Sequence, residues 1–274
     1  MQKRFLIAGC GDVGNAIADR LMKAGHQVFG LRRNIDQLLE GVQPIAINLM
    51  ADQTIPTLPE IDYLLFTAAA KSRDEETYRQ VYVEGAKRII DALQNQPTRA
   101  FVIGSTGVYG QSDGEWITEH SPVDPPSSFG HLLYDGENVF NHAPFPATII
   151  RSSGIYGPGR TQLITRVKQG TIAVKEPEHF SNRIHRDDLA DFMVHLINAD
   201  IGHTPIDALY LASDGAPATI HEVTQWLAQQ LKVTVTQEVP IQRGGNKRIA
   251  NEGMVKAGYQ CRYPHFRAGF ATLI

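Results

Sequence analysis

The feature that most constrains this chain is its opening. An apolar run, Phe5-Leu6-Ile7-Ala8, leads straight into Gly9-Cys10-Gly11-Asp12-Val13-Gly14, after which Val13, Ile17 and Leu21 recur at helical spacing as far as Gly25. A strand that breaks into a GxGxxG turn and re-emerges as a helix is the dinucleotide-binding form of a βα unit. The first glycine permits the turn, the second lets a pyrophosphate approach the backbone, and the third lets the helix pack tightly on the strand. The start of that helix offers free amides and a positive dipole end to the phosphates. Gly9, Gly11, Asp12, Val13 and Gly14 are therefore expected to line a cofactor site.

The rest of the first half keeps the same rhythm. Strands are expected at Gln27 to Leu31, Ile45 to Leu49, Tyr63 to Thr67, Ala100 to Gly104 and Thr148 to Ile150. Helices are expected between several of them, at Thr77 to Leu93 and Phe129 to Asn141. Such alternation predicts an α/β fold: a doubly wound parallel sheet of the Rossmann kind, covered by helices on both faces. Later, Arg186 to Ala199 reads as a helix and Ala208 to Ala212 as a strand. Thr219-Ile220-His221-Glu222 forms a capping box ahead of an apolar stripe, and the tail from Gly244 reads as loops around one short helix. The expected division is a dinucleotide-binding domain over 1–152, completed by 184–212. A smaller C-terminal lobe is then woven from 153–183 and 213–274.

Charge and cysteine usage narrow the partners. A net charge of −3 gives no bulk attraction to nucleic acid or an anionic membrane. No apolar run approaches the roughly 18 residues of a membrane span. Cys10 and Cys261 form no disulfide or metal pattern, which fits a cytoplasmic protein. His185-Arg186-Asp187-Asp188 finds no second cluster to complete a ligand set, so no metal is expected.

The end of the second strand sets the flavour of cofactor. An acid there would accept hydrogen bonds from a ribose 2′-hydroxyl; this chain has Arg32-Arg33, which suits a 2′-phosphate. NADP is favoured, with NAD as the alternative. Ser105 follows the strand Ala100 to Gly104 and is expected at the carboxyl end of the sheet, within reach of a substrate oxygen, although a Ser there also serves as a turn cap. Phe129, Leu133, Gly136 and Phe140 fall at i, i+4, i+7 and i+11, the pattern of a core-facing helical stripe. Tyr134 lies about 100° further round that helix than Leu133.

These segments together resemble the extended short-chain dehydrogenase/reductase superfamily, which includes the NAD-dependent epimerases and dehydratases. Gly104-Ser105-Thr106-Gly107-Val108-Tyr109-Gly110 is similar to its SSxxVYG segment, with Ser105 in the catalytic Ser/Thr place. Arg151-Ser152-Ser153-Gly154-Ile155-Tyr156-Gly157-Pro158-Gly159-Arg160 resembles its RPxxxYGPGR loop, and Asn182 to Ala190 its IHVxDLA segment. Glu137 holds the acidic position after the family's YxxxK. The stretch from Asn246-Lys247-Arg248 through Tyr263-Pro264 resembles the tail of an atypical subgroup. The resemblance further implies that Asn48, Ala68, Ala69 and Ser152 line the cofactor, and that Arg160, Arg183 and His185 face the substrate. It also implies a sugar or nucleotide-sugar as the class of small-molecule substrate, and pairing of two copies through the helices Thr77 to Leu93 and Phe129 to Asn141.

Two departures carry chemical weight. Phe129 and Leu133 stand where the family has its catalytic Tyr and Lys, and Ser181 stands where sugar-nucleotide enzymes often place an Arg. The Tyr moves the hydroxyl proton, and the Lys lowers its pKa while holding the nicotinamide ribose. A phenyl ring has no proton to give. Two expectations follow: an NADP-dependent oxidoreductase or epimerase with impaired or altered acid/base chemistry, or a dinucleotide-sensing or scaffold protein that keeps the fold without the reaction.

Overall fold

The computed structural model describes residues 1–50, 55–240 and 245–274, and it divides into two compact units. The first comprises Met1–Val108, Pro125–Arg151 and Ala190–Tyr210. The second comprises Tyr109–Asp124, Ser152–Leu189 and Leu211–Ile274.

The first unit is built on a seven-stranded sheet. In chain order its elements begin β1 (Arg4–Ala8), α1 (Asp12–Lys23), β2 (Gln27–Arg32), β3 (Gln43–Ala46) and β4 (Tyr63–Phe66). Next come α2 (Glu75–Tyr78), a π-helical turn (Arg79–Glu84), α3 (Gly85–Asp91) and β5 (Arg99–Ser105). From one edge the strands run β12 (Leu209–Ala212), β7 (Ala147–Ser152), β5, β4, β1, β2 and β3, with β1 pairing in parallel to both β2 and β4. The order therefore reverses at β1, and ligands of doubly wound sheets bind outside the carboxyl ends of the strands at such a reversal. The interiors of the strands on both sides of that point are apolar runs; Leu6, Ile7, Leu64 and Leu65 are fully buried. Both faces being covered is why these runs lack alternation. Phe140 and Ile89 close the core over Phe66, Val102 and Ile149.

Expected and observed elements differ in physical detail. The third strand ends at Ala46, before the expected run to Leu49, because the chain leaves the ladder once the Ile47 amide has bonded the Arg32 carbonyl at 3.1 Å. The helix expected over Thr77 to Leu93 is broken by the π-turn at Arg79–Glu84. A side chain at Gly136 would place its Cβ 2.7 Å from the Tyr82 carbonyl oxygen in that turn, so the close approach requires glycine. Gly136 belongs to α4 (Ser128–Asn141), which follows β6 (Glu115–Ile117) and precedes β7 (Ala147–Ser152).

The second unit begins with Tyr109–Asp124, a stretch that the sequence reading had placed within 1–152. It joins this unit because β6 pairs with β15 (Lys247–Ile249). The other elements are β8 (Gly154–Tyr156), α5 (Gln162–Lys168), β9 (Thr171–Ala173), β10 (Phe180–Ser181) and β11 (Arg183–His185). They are followed by α6 (Arg186–Ile201), which continues into the first unit, and β12 (Leu209–Ala212). Then come β13 (Ala218–Thr219), α7 (Ile220–Leu231), β14 (Gln237–Val239), α8 (Glu252–Lys256) and α9 (Phe266–Phe270). Thr219 caps α7 as its sequence pattern predicts, accepting from the Glu222 amide at 3.1 Å. Val167, Ile172, Val223, Leu227, Phe266 and Phe270 form this unit's own core. Gly244 lies outside the described residues; beyond it the tail holds a strand and two short helices where one helix was expected. Among the described residues, no helix is long and apolar enough to cross a membrane.

Candidate dinucleotide site and the vacated acid/base positions

The glycine loop has a division of labour that its residues explain. Gly9 has φ +85°, and a Cβ on it would lie 2.3 Å from the Ala68 Cα. Only glycine permits both that backbone conformation and that contact. Gly14 faces Thr67 and Ile7, with a hypothetical Cβ 2.9 Å from Thr67 Oγ1, so it sets the seat of α1 on the sheet. Thr67 in turn donates to the Gly9 carbonyl at 3.0 Å. Gly11 is different: a Cβ there would meet only the Gly9 carbonyl, at an ordinary 3.7 Å. The fold does not need glycine at Gly11, whereas a ligand lying against the backbone would. Gly11 also caps α1 without any side-chain hydrogen bond. An open cradle at a helix N-terminus fits a pyrophosphate.

Around the loop, Val13 is buried, Asp12 is exposed in the first turn of α1, and Ala68 and Ala69 follow β4. Asn48 is half-buried and its side chain accepts from the Met50 amide at 3.2 Å. The two arginines separate in role. Arg32 donates to the Cys10 and Gln37 carbonyls, each at 3.1 Å, and to the Gln37 side chain. Arg33 is exposed and makes no ion pair or hydrogen bond through its side chain among the described residues. Arg32 thus shapes the loop, and Arg33 carries the uncommitted guanidinium.

Ser105 ends β5, half-buried, with its Oγ accepting from the Gly107 amide at 3.0 Å. The turn-cap role is present, and the hydroxyl proton is left to donate. Behind it lies a feature absent from the sequence reading. Glu137, 2% exposed, takes Arg151 Nε at 3.0 Å and Nη2 at 2.7 Å, and also accepts from the Ser105 backbone amide. Burial pushes the Glu137 carboxyl up, opposed by the Arg151 guanidinium. A Cβ on Gly104 would sit 2.5 Å from Glu137 Oε1, so this glycine lets the carboxylate reach the strand.

The stripe expected along α4 is only partly a core stripe. Gly136 and Phe140 are buried, but Phe129 and Leu133 are half-buried. Phe129 packs edge-on against Tyr78 with ring centroids 4.9 Å apart, and the Arg73 guanidinium lies 5.1 Å above its ring. Leu133 Cδ1 lies 3.9 Å from where a Gly107 Cβ would be, beside the residue that holds Ser105. Leu133, at the position of the family's Lys, therefore lies near the turn that holds Ser105. Tyr134 instead lies under Arg151, 5.9 Å from its ring centre.

With this geometry in view, similarity to known proteins becomes decisive. Residues 9–200 match the family described as NAD(P)H-binding. The chain belongs to that family. It is 33% identical to a protein from Methylobacillus flagellatus assigned to the NAD-dependent epimerases/dehydratases, covering 100% of this chain and 98% of that one with a TM-score of 0.83. MoeE5 in complex with UDP-glucose and NAD matches at 20% identity and TM-score 0.80 over 98% of this chain and 96% of its own. Human SDR39U1 (isoform 2) with NADPH matches at 18% and 0.80, over 98% of both chains. The latter two share the fold. The NAD(P)H-binding protein described here is thus an epimerase/dehydratase-like member of the extended short-chain dehydrogenases.

Ser152, Arg160, Arg183 and His185 all lie in the second unit. Ser152 is buried, and Arg160 sits half-buried in the turn closed by its amide on the Gly157 carbonyl at 3.0 Å. Arg183 is buried and bonds Ser181 Oγ at 2.7 Å. His185 Nδ1 accepts from the Asp187 amide at 3.2 Å, which leaves Nε2 to carry the proton of the neutral ring. Burial lowers its pKa. Near them, Ser153 Oγ, Tyr156 Oη, His185 Nε2 and Asp214 Oδ2 are buried without a hydrogen-bond partner in the described protein. Burial pushes the Asp214 carboxyl up to about 7, against the pull of the Ala216 amide and Arg183.

The Asp214 shift has a testable sign. A carboxyl raised in the native state keeps its proton through weakly acidic pH, while the unfolded chain has already released it. Unfolding then releases a proton, so this group's contribution falls as pH rises from about 4 to about 7. Urea titrations at pH 5 and pH 8 should show wild type losing about 2–3 kcal/mol more than Asp214→Asn over that interval. Equal pH dependence in the two proteins would remove Asp214 as the source.

Proposed function

We propose that the protein is an NADP-dependent oxidoreductase or epimerase of the extended short-chain dehydrogenase type, with its acid/base chemistry relocated from the usual Tyr and Lys. The observation that carries this reading is the cradle at Gly11, open to a ligand at the reversal point of the sheet and closed to nothing in the protein itself. A bound dinucleotide supplies or takes hydride at its nicotinamide. The chain's own residues do the remainder: the Gly11 loop and the first turn of α1 hold the phosphates, and Arg33 meets a 2′-phosphate. Ser105 donates its hydroxyl proton in a hydrogen bond to the substrate oxygen, with Glu137 fixing the strand end beneath it. Relatives that hold UDP-glucose with NAD, or NADPH, support a carbonyl or sugar-nucleotide substrate and either cofactor. A cytoplasmic protein that pairs through the helical segments Thr77 to Leu93 and Phe129 to Asn141 suits the same reading.

A second reading, a dinucleotide sensor, is favoured by one observation: Phe129 and Leu133 offer no proton. Calorimetry with NADPH, alongside turnover on carbonyl and sugar-nucleotide panels, separates the two. Hydride transfer supports the enzyme, and tight binding without any transfer supports the sensor.

The arginines give a sharper test. Arg33→Ala should weaken NADPH by about 1.5–3 kcal/mol, the value of a charge-assisted hydrogen bond, and leave NADH nearly unchanged. The loss should shrink at high salt, as an exposed ion pair must. Arg32→Ala, which loosens the loop through Cys10 and Gln37, should weaken both cofactors alike. If Arg33→Ala weakened NADH and NADPH equally, the NADP assignment would fall.

A further inference from the structure

Phe129 occupies the place of the family's phenol, and two groups bracket its ring. The Tyr78 ring meets it edge-on at 4.9 Å, and the Arg73 guanidinium lies over it at 5.1 Å. Neither polar head is committed: among the described residues the Tyr78 hydroxyl and the Arg73 guanidinium have no hydrogen-bond or ion-pair partner. The segment bearing them is held firmly. Asp74 caps α2, accepting from the Thr77 amide and the Thr77 hydroxyl, each at 2.8 Å, and Ser72 meets Thr77 Oγ1 at 3.0 Å. The π-turn begins directly after Tyr78 and brings the Tyr82 ring edge-on to it, with centroids 5.2 Å apart. Wide turns of this kind recur at functional sites, where they re-aim side chains.

The other phenols nearby are otherwise placed. Tyr82 is half-buried, its oxygen takes the Ala70 amide at 3.2 Å, and burial raises its pKa. Tyr134 lies beside Arg151, whose charge is engaged by Glu137.

The geometry points to Tyr78 as the relocated proton donor. This rests on the dinucleotide reading above. As a carbonyl carbon receives hydride from a reduced nicotinamide, its oxygen takes the Tyr78 proton. The phenol O–H bond breaks, the alcohol O–H bond forms, and the electron pair left on the Tyr78 oxygen takes up a proton from water to restore the phenol. Phe129 supplies the apolar wall that the Tyr78 ring meets edge-on. The family's phenol is thereby replaced in space by one carried on a different element.

The test uses wild type, Y78F and Y134F as full chains. All three should bind NADPH within about twofold by fluorescence titration, since the phosphates are held elsewhere. Wild type that fails to bind NADPH sinks the dinucleotide reading, and this one with it. Nitration by tetranitromethane at pH 8, mapped by peptide mass spectrometry, should modify Tyr78 in wild type, and about fivefold more slowly when the protein is saturated with NADPH. With 9,10-phenanthrenequinone as an activated dicarbonyl probe, NADPH oxidation should fall about a hundredfold in kcat for Y78F while the KM for NADPH holds, and Y134F should match wild type. An unreactive Tyr78, an equal nitration rate with and without NADPH, or loss of rate in Y134F but not Y78F each overturns the assignment while leaving cofactor binding intact. Tight NADPH binding with no reduction of the probe overturns it as well and favours the sensor reading.

Discussion

Gly11→Val should abolish NADPH binding and leave the protein folded. The side chain has room in the protein, since its first carbon meets only the Gly9 carbonyl at 3.7 Å. It would, however, fill the cradle a pyrophosphate must enter. We expect at least a hundredfold loss of affinity by calorimetry, about 2.7 kcal/mol, with a thermal midpoint within about 3 °C of wild type. Gly9→Ala provides the contrast. At φ +85° a side chain costs roughly 1–2 kcal/mol, and the clash at 2.3 Å with the Ala68 backbone adds to it. That variant should lose stability first, by about 3 kcal/mol or more, and binding only as a consequence. Full NADPH binding by a folded Gly11→Val protein would move the cofactor site away from this loop.

The second large effect is expected at the buried ion pair. Glu137→Ala removes the carboxylate paired with buried Arg151, 5% exposed, and should destabilise the protein by about 3–5 kcal/mol in urea titrations. Arg151→Met should cost a similar amount by stranding the carboxylate. The double variant Glu137→Leu with Arg151→Met should recover much of the loss, because a buried pair exchanged for apolar groups of like volume is often neutral. Stability alone is not the whole role, since Glu137 also accepts from the Ser105 amide. In the double variant the stability should return while any Ser105-dependent turnover does not. Recovery of both would reduce Glu137 to packing.

These two sites differ in how far sequence could reveal them. The glycine loop is local: turn, strand and helix lie within one run, so residue order alone exposes it. The Glu137–Arg151 pair joins residues 14 apart on different elements, and nothing in either neighbourhood announces the other. The helical stripe misled for a related reason. Periodicity identifies which residues of α4 share a face, but not where along its length the covering core ends. It covers Phe140 and Gly136 and thins out before Phe129. Likewise the π-turn at Arg79–Glu84 has no signature of its own, because it is fixed by tight packing of Tyr82 on Gly136. Tyr78 and Arg73 belong to no sequence motif, and only the fold brings them to Phe129. Arg32 and Arg33 looked interchangeable in sequence, and only the neighbours of Arg32 separate them.

The half-exposure of Phe129 and Leu133 bears on what the rim of α4 can tolerate. Side chains driven into the core could be exchanged for a phenol and an ammonium only at the cost of rebuilding the interior. At the rim, a long polar side chain can lay its stem on the apolar surface and keep its head in water. Gly136 holds the helix against Tyr82, so groups at positions 129 and 133 stay one turn apart on the same face. The outer end of this helix is therefore a place where side-chain chemistry can be exchanged without disturbing the fold beneath it.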